Sequence, residues 1–469
     1  MGNNNRKIDY LEQIRTGHEI SRKNQLMLIV QLSIPAILAQ LTTILMEYID
    51  AAMVGSLGEK QSAAIGLVST STWLLSGLSY AFSAGFTVQV AHMIGAGRDK
   101  DARRLAKSGV FLSVLFGALM MLCTSWMSFD LPKWLGGEQE IWRDASLYFL
   151  IYSINMPLYQ LKNMSAGMLQ CSGNMKLPSA AHILMCVLDV IFNFILIFDT
   201  RFVSLFGYRF KIYGCGLGVF GAGLGTALSV VTVSLILSYY LVHCSGKLKF
   251  RSDERLLILK EDIMKAVKIS IPAAVEQVIM CGAYITSTVI VATLGSISIA
   301  AHSFAITAES LCYMPGYGIG QAATTIVGQS LGAGRKKLAK ILGWMSLVLG
   351  MLMMTVSGVI MYIFAPFAMA ILTPVVAVKE LGARVLRIEL FAEPLYGASI
   401  VANGVFRGAG DTKVPCILNF LSMWVVRIPL SAYLASKMGL DGVWLAMCID
   451  LMFRGLIFIF RLLRTRDFN

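Results

Sequence analysis

Apolar residues fall in long runs separated by short polar stretches, and the length of the runs decides the class. A helix needs roughly 20 residues to cross a bilayer. About twelve runs reach that length, near 27–54, 64–95, 106–129, 145–170, 178–199, 217–243, 266–293, 300–330, 341–368, 380–406, 415–436 and 440–461. The pattern predicts an all-α polytopic membrane protein with about twelve transmembrane helices, numbered here as spans 1 to 12. Lipid is the solvent for the outer faces of such a chain, so each backbone polar group must be satisfied inside its own helix.

The runs repeat. Ile34-Pro35-Ala36 returns as Ile271-Pro272-Ala273. The same shift carries Gly58 of SLG onto Gly295 of TLG, IGAGR at Ile94 onto LGAGR at Leu331, and GMLQCSGNMKLP at Gly167 onto GVFRGAGDTKVP at Gly404. Four motifs in one register indicate two six-span halves in tandem. Six is even, so both halves insert the same way and are related by an axis along the membrane normal. In transporters built on that plan the substrate site lies between the halves near the midplane. The expected divisions are a tail at 1–24, an N-lobe at 25–243, a charged amphipathic strap at 244–265, a C-lobe at 266–463 and a tail at 464–469.

Composition agrees with the runs. The chain is 56% hydrophobic and 14% charged, with a net charge of +13. The basic residues collect in alternate loops, as at Arg98, Lys100, Arg103, Arg104 and Lys107, and again at Arg335, Lys336, Lys337 and Lys340. That is the signature of cytoplasmic loops beside anionic lipid, not of nucleic-acid binding. It predicts a multi-pass plasma-membrane protein with both termini cytoplasmic. The N-terminal stretch has no apolar core of a signal peptide. The nine cysteines show no metal-ligand or disulfide spacing. LGAGR lacks the GxxxxGK[ST] pattern of a phosphate loop, and no nucleophile–base pair or metal motif points to an enzyme.

Acids at membrane depth carry the functional signal, because they are costly there unless they face a partner or a wet cavity. Glu47 and Asp50 share a face of span 1. In span 5, Asp189 and Asn193 share a face, with His182 two turns earlier as a possible proton relay. Oxygen donors of this kind suit a small hard cation or a shared proton. Glu276, Gln277 and Glu309 in spans 7 and 8 are candidates for contact with a cationic substrate. Arg427, Asp450 and Arg454 read as structural ion pairs across spans 11 and 12.

RGAGDTKVP from Arg407 to Pro415, LGAGRKK, VATLGSISIAAHSFAI, MEYIDAAMVGSLG and GLGVFGAGLGTALS together resemble the multidrug and toxic compound extrusion family over nearly the whole chain. The resemblance implies a V-shaped pair of six-helix bundles and cation-driven export of organic, often cationic, compounds by alternating access. It places Asp50 at the span-1 carboxylate of an N-lobe cavity, Pro35 at a helix-bending hinge, and Thr226 at a span-6 polar position of the same cavity. The family commonly has Asn then Asp in span 5; here Asp189 precedes Asn193. At the span-10 acid position this chain has Tyr396, with Glu393 nearby.

The expectation is antiport. H⁺ or Na⁺ binds Asp50, Asp189, Asn193 and Thr226, and drug contacts come from Glu47, Glu276, Gln277, Glu309 and Tyr396. Beyond a possible Na⁺ no metal is expected, no cofactor is needed, and the chain is expected to act as a monomer. One rival is a lipid-linked precursor flippase of the same superfamily, which needs a cationic central cavity. The candidate cavity residues are mainly acidic or neutral, which weighs against it.

Overall fold

The structure is a computed structural model that describes residues 10–205, 208–251, 254 and 256–465. All twelve apolar runs are helical. Nine of the helices are long and apolar enough to cross a membrane as single pieces, among the described residues. Span 8, Ser296–Gly332, is as long as any but is largely buried between its neighbours. Shielding by protein lets it carry small and polar residues that lipid contact would penalise.

Spans 4 and 10 are broken helices, which the runs do not reveal. Span 4 is Trp142–Ile154 followed by Met156–Cys171, and span 10 is Val376–Glu389, a tight turn at Leu390–Ala392, then Glu393–Gly408. The second piece of each opens on a proline, Pro157 and Pro394, which are equivalent under the repeat shift. Proline lacks an N–H and is tolerated in the first turn of a helix, so it restarts each span where it would have disrupted a continuous one. Span 1, Arg22–Gly55, by contrast runs through Pro35 without interruption.

One element departs from the all-helical expectation. Asp199–Leu205 and Tyr208–Cys215 pair antiparallel as a hairpin between spans 5 and 6. Span 7 begins at Lys260, inside the strap expected at 244–265, and the described residues of the strap before it form no helix. Span 3 holds that segment: Arg103 pairs with Glu254 at 2.6 Å and Lys107 donates to the Glu254 carbonyl at 2.7 Å.

Apolar cores lie within the halves, around Met164, Met168 and Leu237 in one and Leu386, Met369 and Trp444 in the other. Large apolar side chains such as Trp126, Leu122 and Ile371 stand on the outside, where lipid would cover them. The halves meet through span 1 against span 8 and span 2 against span 7. A short helix, Tyr10–Arg15, caps the end that carries the basic loops. It buries Leu11 and Ile14, and Arg15 pairs with Asp99 at 2.8 Å. Just beyond it, Arg335 of the second half donates to the His18 carbonyl at 2.7 Å.

Candidate cation site and central cavity

Spans 1, 5 and 6 converge on the acids read from the sequence. Asp189 and Asn193 are one turn apart on span 5, Lys176–Leu196, and point at span 1. Asn193 Nδ2 donates to Asp50 Oδ1 at 2.9 Å and to Asp189 Oδ2 at 3.1 Å. A single amide therefore holds two carboxylates together. Thr226 and Ser229 face Asp189 from span 6. The exchanged Asp-then-Asn order thus still delivers one carboxylate and one amide to Asp50.

Two oxygens are left over. Asp189 Oδ1 and Asn193 Oδ1 are buried and accept no hydrogen bond from the described residues. No ion pair among the described residues involves Asp50 or Asp189. A buried acceptor without a donor costs on the order of 1–3 kcal/mol, more if charged. This donor set fits a proton or a small hard cation, either of which relieves that cost. Beside Thr226 lies a cavity of about 40 Å³ lined by Tyr148, Tyr152 and Asn155, large enough for one or two waters. Span 6 comes close because Gly225 has no side chain: a Cβ there would stand 2.1 Å from Asn193 Oδ1.

A larger cavity of about 360 Å³ lies between the halves. Glu276, Gln277 and Tyr396, read from the sequence as candidate drug contacts, line it. Glu276 Oε1 accepts from Asn403 and from Asn419, both at 2.7 Å. Glu47 does not line it and is exposed on span 1. Glu309 is also absent from its wall. It sits buried on span 8, inside the second half.

Glu389 and Glu393 are fully buried, one turn apart across the break in span 10, and all four of their carboxylate oxygens lack partners among the described residues. Sequence reading misses Glu389 because the apolar run reads as one continuous helix. Arg454 pairs with Asp450 at 2.5 Å as expected, but Arg427 does not join them. It points at Met447 Sδ, 3.0 Å away, from a widened helical turn at Leu421–Arg427.

The central cavity is also less acidic than expected. It continues into a chamber of about 180 Å³, with Tyr80, Gln321, Thr324 and Arg407 common to both walls. Lys162 and His182 also line the chamber, and His182 Nδ1 has no partner among the described residues. His182 therefore faces this chamber as well as sharing a helix with Asp189.

The MatE family model matches residues 35–195 and 272–433, one match in each half. A probable multidrug resistance protein, NorM, of Thermotoga maritima is 27% identical over 432 residues, 91% of this chain and 89% of that protein. The multidrug resistance protein MdtK of Yersinia pestis is 22% identical over 447 residues, 92% of this chain and 94% of that one. Among solved structures, a MATE protein in complex with MaL6 superposes with a TM-score of 0.87 at 20% identity, covering 96% of this chain and 98% of that one. An outward-facing multidrug resistance MATE transporter gives 0.85 at 20% identity, covering 95% and 99%. The twin match of one family model to the two halves, on a fold shared along the whole length, establishes that this chain is a polytopic membrane transporter belonging to the MatE family.

Proposed function

We propose that the protein is a secondary active multidrug exporter that moves organic, often cationic, compounds by H⁺ or Na⁺ antiport through alternating access. The observation that carries this reading is the Asn193 amide bonded to both Asp50 and Asp189, with Asp189 Oδ1 and Asn193 Oδ1 left unpartnered. A coupling ion must be bound in one state and released in another, and a polar cluster short of one cation has that property. The names of the NorM and MdtK relatives support a multidrug range.

In this scheme the cation enters the cluster from outside and neutralises the carboxylates. Span 1 then shifts, with Pro35 as the place where a missing backbone donor makes bending cheapest. Drug affinity in the central cavity falls as the ion binds, which is the exchange that couples the two fluxes. Glu276, Gln277 and Tyr396 are assigned to drug contact in that cavity. Glu47 and Glu309 lie outside that wall and are assigned no drug contact. The end bearing the basic loops is assigned to the cytoplasm, with both termini there, in the plasma membrane and as a monomer. The N-lobe, strap and C-lobe divide near 243 and 266.

The test is ethidium transport in everted membrane vesicles under an imposed proton or sodium gradient. Uptake driven by one gradient and collapsed by its ionophore identifies the coupling ion. Transport indifferent to both gradients overturns antiport.

A further inference from the structure

The chamber next to the central cavity is lined by spans 2, 4, 5, 6, 8 and 10, and no aspartate or glutamate is among the described residues of its wall. Two cations are, Lys162 from the first half and Arg407 from the second. Lys162 is 6% exposed. Its ammonium lies 4.3 Å from the Tyr159 ring centre and 3.9 Å from Met185 Sδ, and it enters no ion pair among the described residues. Arg407 lies over the Tyr80 ring at 5.0 Å and reaches Asn403 Oδ1 at 3.4 Å, while its Nε has no partner among the described residues. Asn403 links Arg407 to Glu276, so part of its charge is offset. The charge on Lys162 has no such offset.

A ring face and a thioether are weak substitutes for an anion, and a buried ammonium is expensive without one. We propose that this chamber is an oxyanion subsite: Lys162 and Arg407 together receive a carboxylate or phosphate carried by the transported molecule, so the substrates include anionic or zwitterionic amphiphiles. The aromatic partners Tyr159 and Tyr80 hold the two cations in place when the site is empty. This deepens the exporter reading and rests on the between-halves cavity being the substrate site.

The test uses two dyes with one chromophore, rhodamine 19 with a free carboxylate and rhodamine 6G, its ethyl ester. Binding is read by fluorescence anisotropy with the full-length protein in phosphatidylcholine nanodiscs. Wild type is expected to bind rhodamine 19 about tenfold more tightly than rhodamine 6G, the scale of one charge-assisted hydrogen bond. Lys162→Met is expected to erase the difference by weakening rhodamine 19 alone, and Lys162→Arg to restore it. Arg407→Gln tests the second arm in the same way, independently of whether the lysine variant folds. Equal affinities in wild type, equal losses for both dyes in the variants, or no saturable rhodamine 19 binding would each overturn the subsite. Rhodamine 6G binding alone would leave the exporter reading standing. Repeating the titration with phosphatidylglycerol in the disc separates two sources of the oxyanion. Lysine-dependent competition by the lipid assigns the site to a lipid phosphate, and indifference to the lipid assigns it to a soluble substrate.

Discussion

His92 and Gln329 occupy equivalent places in the two halves, and each donates a hydrogen bond to a backbone carbonyl of the opposite half. His92 Nε2 reaches Gly408 O at 2.8 Å, and Gln329 Nε2 reaches Cys171 O at 2.7 Å. The acceptors are themselves equivalent under the same repeat shift. Between these bonds the ends of spans 2 and 8 cross in backbone contact. A Cβ on Gly95 would stand 2.1 Å from Gln329 O, and one on Gly332 2.0 Å from His92 O. The basic-loop end is therefore closed by a symmetric clasp that only glycine permits.

Substituting that clasp should open it. Gly332→Ala is expected to separate the ends of spans 2 and 8 and to destabilise the closed form by roughly 1–3 kcal/mol, the usual cost of overpacking. Spin labels at the two helix ends should report a longer distance. Gly66→Ala, where a Cβ meets nothing within 4 Å, is the control and should leave the distance unchanged. An unchanged distance in Gly332→Ala would refute the clasp.

Removing a carboxylate from the cation cluster should uncouple transport. Asp50→Asn and Asp189→Asn keep the side-chain shape but abolish the charge that the coupling ion neutralises. Both are expected to insert normally into the membrane and to bring ethidium efflux to the empty-vector level. Resistance equal to wild type in Asp50→Asn would count decisively against the scheme.

Span 6 tests the same site without touching a charge. Gly225→Ala places a methyl where Asn193 Oδ1 now lies and is expected to push the amide off one carboxylate. Efflux should fall while thermal stability in detergent changes little. If gradient-driven efflux by Gly225→Ala matches wild type, the amide does not organise the site.

The Asp450–Arg454 pair should behave as a structural unit. Both residues are buried, and Ser422 bonds the same carboxylate. Arg454→Met leaves an uncompensated buried charge and is expected to cost about 3–5 kcal/mol, with the double variant Asp450→Asn/Arg454→Met costing clearly less. Denaturant unfolding of the four proteins gives the coupling directly. Additive losses would show that the pair contributes nothing as a pair.

Much of this is legible along the chain. Twelve apolar runs, one repeat register and the cost of an acid at membrane depth are enough to set out the spans, the two halves and Asp50, Asp189 and Asn193. These are local or periodic signals, and the membrane strengthens them because it forbids most alternatives to a helix. Tertiary structure decided what depends on side chains distant in sequence meeting in space. Whether span 4 bends at Pro157 depends on what packs over the freed carbonyls. Glu389 enters the core only because span 10 breaks beside it, and Arg427 turns toward Met447 because its own helix widens. The facing of Lys162 and Arg407 across one chamber has no trace in local pattern. It arises where the two halves close on each other, and a one-dimensional reading carries no term for that contact.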